Sequence, residues 1–345
     1  MSQKAARIQD VARIAGVSTA TVSRALSHPD KLTEATRDAV FQAIEETGYR
    51  VNRAARNLRK QRANAVLVLV PNLGNPFFSQ ILAGISERLS EQDVSVLITD
   101  STHLPSDDKA LADYFLDGRI DGMISLDGGL TRQDLNSFAG AGVARSIVFA
   151  CEWVLGADMP SVRSDNFKGA QLAIRHLHDL GHRKIAHVTG PVDNVLTHAR
   201  REGMMAERQR LGLPARPEWI IRGDFSLNSG QEAARRIFAM EDRPTAVFCA
   251  SDEVAFGLIA GLTSLGLRVP RDISVIGFDD IELAQHFIPA LSTIRQDRPA
   301  LGRRAADMML DCLKNGGLTD PAQIETIDVS LIPRASTAAL RQDRA

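Results

Sequence analysis

The sequence predicts two dissimilar parts, an all-α head built on a helix-turn-helix and a larger α/β body with parallel sheets. Three observations carry that reading. Residues 8–27 form two short apolar-faced helical stretches around a glycine. Residues 50–62 are a basic run with a helical repeat. Beyond residue 63 the chain alternates apolar strand-like runs with amphipathic helices.

In the head, Asp10 suits a helix start, and Val11, Ala12, Ile14 and Ala15 supply an apolar face. Gly16 gives the permissive backbone of a sharp turn, and Val17 plugs the corner. Ser18 is a natural N-cap for a second helix beginning at Thr19. There Val22 and Leu26 point inward, while Thr19, Ala20, Ser23 and Arg24 point out. Small outward residues let a helix approach base edges, and Arg24 has the fork that matches guanine. A third helix follows residues 33–36, with Val40, Phe41 and Ile44 as its buried stripe and Gly48 as its terminator.

In the run that follows, Arg50, Arg53, Arg56 and Arg59 recur every third residue. A helix here would carry a positive stripe with Ala55 and Leu58 beside it. A solvated linker needs no Leu58, whereas a minor-groove wedge requires an apolar side chain inside a basic helix. Charge is segregated to match: residues 1–62 hold 12 Lys and Arg against 6 Asp and Glu, while the whole chain has a formal net charge of −1. That suits a polyanion-binding head on an acidic body.

The body opens with a continuous apolar strand over 65–70 that ends at Pro71. Helices are then expected over 78–92 and 109–117, with strands over 94–99, 122–126 and 146–149. A connection leads to a helix over 166–180, and the rhythm restarts. Strands over 184–189, 219–222, 246–250 and 274–278 alternate with helices over 200–211, 229–240 and 253–265. Two rounds of this alternation imply two similar α/β lobes. In open parallel sheets ligands sit beyond the carboxyl ends of the strands. That directs attention to 71–78, 100–101, Asp127, Asp165, 190–200, 251–252 and 279–280. Phe77 is placed to stack on a ligand ring, and Phe78 is divided between that role and core filling. A cationic fork at Arg200 among carboxylates suits a polyol, whose hydroxyls both donate and accept.

Residues 7–62 resemble the headpiece and hinge helix of the lactose/galactose repressor (LacI/GalR) family of bacterial transcriptional regulators. The resemblance rests on Asp10-Val11-Ala12, Ala15-Gly16-Val17-Ser18, Thr21-Val22-Ser23-Arg24, Gly48-Tyr49 and Asn52…Ala55-Arg56…Leu58. It extends over 65–340 through Asn75-Pro76-Phe77-Phe78, Asp165-Asn166, Gly181-His182-Arg183-Lys184, Gly190-Pro191, Ser251-Asp252, Gly277-Phe278-Asp279 and Arg334…Ser336-Thr337. Val51 and Ser27 depart from the family's usual Pro and Asn.

The resemblance implies a head over 1–50, a hinge helix and linker over 51–63, and a periplasmic-binding-protein-like body over 64–340. Its lobes would be 64–164 with 295–327, and 165–294 with 328–340, with chain crossings near Asp165, Thr293 and Asp328. On double-stranded DNA, Thr19, Ala20 and Arg24 would read bases. Ser18, Thr21, Ser23 and Asn52 would hold phosphates or register, Ala55 and Arg56 belong to the matching hinge, and Leu58 would be the wedge. In the body, Asp165, Arg200 and Asp279 would hydrogen-bond an effector, Phe77 and Phe225 would pack on it, and Ser251 stands where some relatives have Asn. A homodimer on a palindromic operator is implied. Hinge helices this short would fold only when paired in the minor groove, so a lobe movement would release the operator.

Short stretches, 18–26 and 196–200, are similar to the cytidine repressor branch, and leave a nucleoside and a free sugar as competing effectors. A regulator answering to a corepressor or a phosphoprotein is the alternative of the same fold. Nucleophile-elbow, phosphate-loop and zinc-protease signatures are all absent from the sequence, so no enzyme and no cofactor is expected. Three widely spaced cysteines lack metal-ligand spacing, and there is no signal-peptide pattern or membrane-length apolar run. A cytoplasmic protein without membrane association is expected.

Overall fold

The computed structural model describes residues 6–49, 62–103, 110–318, 320 and 322–340, and the chain divides into two compact units, Met1–Ala63 and Asn64–Ala345. The hinge residues Asn52, Ala55, Arg56 and Leu58 lie outside the described residues.

The first unit is a three-helix head. Helix α1 (Ile8–Ile14) starts where the Asp10 carboxylate accepts the Arg7 amide at 2.9 Å. Gly16 turns the chain at φ 64°, and Ser18 caps α2 (Thr19–Ser27) by accepting the Thr21 amide at 3.1 Å. Helix α3 (Glu34–Thr47) starts at the Thr33 cap and ends at Gly48 in the left-handed region. Its core is Val11, Ala12, Val22, Ala25, Val40 and Ala43, with Val17, Leu26 and Ile44 packed against it. Two expected core residues are elsewhere: Ile14 and Phe41 are 45% and 44% exposed. Ala25 and Ala43 are buried in the core instead.

The second unit has three sheets. The first is six-stranded, in the order β11 (Ile324–Ile327), β5 (Ser161–Ser164), β4 (Ile147–Ala150), β3 (Gly122–Ser125), β1 (Ala65–Val70), β2 (Ser95–Asp100), and every pairing is parallel. The second is four-stranded and parallel, in the order β7 (Ile220–Ile221), β6 (Ile185–Val188), β8 (Ala246–Cys249), β9 (Ser274–Ile276). Strand β1 is flanked on both edges and covered on both faces, so all six of its residues are buried. Strand β2 is more exposed than β1. It is the sheet edge, and Leu97 and Ile98 face solvent.

A third, two-stranded sheet pairs β10 (Thr293–Gln296) antiparallel with β12 (Val329–Ile332), and Ile294 and Val329 join the second lobe's core. The chain therefore passes from one lobe to the other around 165, 297 and 328. The helices are α4 (Phe77–Ser90), α5 (Ala110–Leu116), α6 (Arg132–Gly140) and α12 (Arg298–Asn315) on the first lobe. On the second lobe they are α7 (Asn166–Asp179), α8 (Val195–Arg210), α9 (Leu227–Ala239), α10 (Asp252–Ser264) and the single turn α11 (Leu283–His286). Strand β5, helix α6 and every helix and strand after residue 278, α12 among them, were not assigned from the sequence. The late strands are only four residues long, but Leu301, Ala305, Met308, Met309 and Cys312 are buried at helical spacing, a visible signal.

Helices α9 and α10 meet at a glycine. A Cβ on Gly257 would lie 1.9 Å from the Leu227 carbonyl oxygen, whereas one on Gly140 would meet nothing within 4 Å. Gly257→Ala is therefore expected to lower stability by about 1–3 kcal/mol. Gly140→Ala should leave it unchanged or raise it by less than ~1 kcal/mol. Urea midpoints compare the two, and equal midpoints would show that α9 and α10 separate freely. On α8, Glu207 is out of solvent contact, and hydrogen bonds from Arg210, then Arg175, hold its carboxyl down at about 2. A depressed acid stabilises the fold above its ordinary value of 4.5 and loses that contribution as pH falls towards 2. Glu207→Gln should flatten this acid limb; an unchanged limb in pH-dependent melting would assign it to other carboxylates.

Candidate functional site: head helix and interlobe cavity

Helix α2 presents the residues expected at DNA on its free side. Thr19, Ala20 and Arg24 are exposed, and Thr21 and Ser23 are half-buried. Ser18 is exposed, but its hydroxyl is engaged as the cap and lies 3.0 Å from the Thr21 hydroxyl. The cap leaves the amides of the first turn oriented outward, which favours a phosphate there. Arg24 has no ion-pair partner among the described residues, so its guanidinium is available to an acceptor outside the head.

In the body, a cavity of about 360 Å³ opens between the lobes. From the first lobe come Asn75, Phe77 and Phe78 at the start of α4, Asp127 after β3, and Glu152 after β4. From the second come Asn194, Leu196 and Arg200 of α8 and its cap, with Phe225, Ser251 and Asp279. All lie just beyond strand carboxyl ends, where a parallel sheet leaves room between its connecting loops. Phe77 and Phe78 meet edge to face, with ring centroids 5.1 Å apart. Six of the seven expected ligand residues therefore share one cavity. Asp165 does not line it. Its carboxylate caps α7 by accepting the Lys168 amide at 2.9 Å, and the neighbouring Asn166 makes the contact to Arg200.

Arg200 organises the second-lobe wall. It is 2% exposed, donates from Nε to Asn166 Oδ1 at 2.8 Å and from Nη1 to the Ala250 carbonyl, and lies 3.6 Å from Asp279. Its guanidinium sits 3.8 Å from the centroid of Phe278. Asp279 does not cap a helix. It holds a positive φ of 121° and accepts Gln296 Nε2 at 2.7 Å. Burial pushes its carboxyl up to about 6, against the opposing pull of Arg200 and Arg298. Beside it Asp252 is fully buried and also pushed up, by burial and by Asp279. Ser251 caps α10 and donates to the Phe225 carbonyl at 3.3 Å, so its hydroxyl positions Phe225.

Sequence reasoning missed Glu152. Its two oxygens accept Asn194 Nδ2 at 2.9 Å and the Gly128 amide at 3.0 Å, and burial pushes its pKa up. The Asn194 bond joins the two lobes across the cavity. A carboxylate following the buried strand β4 was the available signal, at the same carboxyl-end position that singled out Asp127. The cavity thus offers aromatic faces at one wall and convergent acceptors and donors at the others. Among the described residues no group of His, Cys, Asp and Glu could hold a metal ion, and no helix is long and apolar enough to cross a membrane.

An exposed recognition helix and a two-lobed ligand cavity on one chain define a DNA-binding transcriptional regulator that responds to a small molecule. Known proteins agree. Residues 7–52 match the model of the bacterial regulatory proteins of the lacI family, and 174–337 match the periplasmic binding protein-like domain. The HTH-type transcriptional repressor CytR of Escherichia coli (strain K12) is 37% identical over 338 residues, covering 98% of both chains. A lac repressor dimer bound to operator and the anti-inducer ONPF superposes with a TM-score of 0.84 at 30% identity, covering 97% of this chain and 100% of that one. A LacI family regulator from Enterococcus faecium with bound ribose gives 0.72 at 28% identity, covering 80% of this chain and 100% of that one. The chain belongs to the lacI family, and these relatives are regulators rather than enzymes.

An acid whose folded-state pKa is raised keeps its proton longer in the folded protein. Between its ordinary 3.8 and about 6, Asp279 therefore makes stability fall as pH rises. Asp279→Asn should remove that slope while keeping the fold, as read by melting temperature across pH 4 to 7 (roughly the titration window). A slope identical in the variant would place the proton on another buried carboxyl, such as Asp252 or Glu152.

Proposed function

We propose that the protein is a repressor that binds a palindromic operator as a homodimer and whose operator affinity is set by a nucleoside held between its lobes. The observation that carries the effector class is the cavity's pairing of stacking faces with polyol contacts. Phe77, Phe78 and Phe225 offer a base flat apolar surfaces, while Asp127, Glu152, Arg200 and Asp279 suit ribose hydroxyls. Likeness to CytR across 98% of the chain supports the same reading. A free pentose is the second reading, favoured by the ribose-bound relative.

Operator contacts would come from Ser18, Thr19, Ala20, Thr21, Ser23 and Arg24, with Asn52, Ala55, Arg56 and the wedge Leu58 in the hinge. Apolar side chains left in solvent support a dimer: Leu97 and Ile98 on the edge strand β2, and Leu283 with Ile288, the latter 90% exposed. Three free, buried cysteines suit a cytoplasmic setting. The effector must bind one lobe arrangement better than the other, and each tenfold preference shifts the equilibrium by about 1.4 kcal/mol.

Thermal-shift screening against nucleosides, pentoses and hexoses, with each hit titrated into an operator-binding assay, tests the effector. Stabilisation by a nucleoside that also changes operator affinity is the expected result. Stabilisation by sugars alone would replace the nucleoside with a carbohydrate. Arg24→Ala should relax base preference at one symmetric operator position by roughly 1–3 kcal/mol. Uniform weakening across operator sequences would restrict Arg24 to phosphate contact.

A further inference from the structure

The second lobe contains another cavity, of about 510 Å³, against a different face of α8 from the one that lines the interlobe site. Arg201, Arg208, Arg216, Arg222 and His198 line it, and no Asp or Glu does. Arg216 is partly neutralised by Asp242 at 3.1 Å and Glu218 at 3.4 Å. Arg201 and Arg222 are exposed and form no ion pair among the described residues.

Arg208 is the informative member. It is 2% exposed, and its contacts are the Met204 sulfur at 3.8 Å and the Pro214 carbonyl, while Nε has no partner. Burial lowers its pKa with no carboxylate opposing the shift. Thr197, on the same wall, has a buried hydroxyl without a partner. A buried guanidinium with an unused donor is costly unless an anion completes it. Met205 and Ile220 add an apolar floor.

We propose that this cavity is a second ligand site, for a small phosphomonoester. Such a group brings close to two negative charges and three strong acceptor oxygens, and arginine forks match it in bidentate geometry. The apolar floor accommodates the carbon skeleton. The two cavities share a wall at Gly190: a Cβ there would lie 2.2 Å from the Phe225 ring and 2.5 Å from Thr197 Oγ1. Thr197 of the second cavity and Phe225 of the interlobe site therefore both pack against Gly190.

Calorimetric titration of the full-length protein with ribose 5-phosphate, ribose and inorganic phosphate, at constant ionic strength, tests this. Ribose 5-phosphate is expected to bind, inorganic phosphate more weakly, both losing tenfold or more in affinity with Arg201→Gln or Arg222→Gln. Asp279→Asn, in the other cavity, should leave that binding unchanged. Absence of binding at millimolar ribose 5-phosphate would overturn the proposal. So would loss of binding in Asp279→Asn with retention in the arginine variants, which would move the ligand to the interlobe site. A double arginine variant that weakens operator binding without any phosphomonoester would make the cavity a DNA contact and overturn it equally.

Discussion

The buried Arg200 guanidinium is the constraint around which the second lobe is arranged. A charge almost wholly removed from water is tolerable only when donors find acceptors and a countercharge stands close. Arg200 meets that condition by drawing on the start of α7, the end of β8 and the turn after β9 at once. Those three segments are far apart in sequence, and the guanidinium fixes their spacing at the cavity wall. Its flat face rests on Phe278, so packing and electrostatics set one geometry. Asp279 is held where a hydroxyl of a ligand could meet it, already oriented by Gln296.

Specific polar contacts join the lobes beside their shared apolar core. Glu152 reaches Asn194 across the cavity and Arg298 reaches the Asp280 carbonyl at 2.9 Å, while at a chain crossing Lys168 pairs with Asp328 at 2.9 Å. Each uses polar groups at a cavity edge or at a chain crossing, and the buried residues of that core run from the first lobe into the second. Asn194 does double duty, since its side-chain oxygen also caps α8. Ligand groups competing for Glu152 or Asn194 would thereby bear on the helix that carries Arg200. This is a physical route from occupancy to lobe angle, and lobe angle is what the chain crossings transmit.

Much of this was legible in the sequence because local chemistry decided it. Ser18, Gly16 and Gly48 announce their cap and turns, and the six-residue apolar run at 65–70 can only be a covered strand. Strand ends followed by Phe77, Arg200 or Asp279 marked the cavity for the same reason, since parallel sheets expose that edge. What escaped depends on tertiary neighbours. Leu97 and Ile98 have strand propensity, but nothing local says their strand lies at the edge. Asp165 and Glu152 both follow strands, and only the fold makes the first a helix cap and the second a cavity wall. Ile14 and Phe41 turn outward while Ala12, Ala25 and Ala43 are buried, an arrangement no local pattern announces.

Four non-glycine residues at or beside the effector cavity have left-handed backbones: Cys151, Phe225, Asp279 and Asp280. Each such conformation costs of order 1 kcal/mol or more in an L-residue, so the neighbourhood that recognises the small molecule is also the one where the chain is least relaxed. Glycine or asparagine at Asp279 or Asp280 would ease the backbone but remove a carboxylate that faces the effector or holds ion pairs. Glycine at Cys151 or Phe225 would empty packed space and cost more than the strain relieved. Gains in robustness without either loss would have to come from the outer helices, away from the cleft.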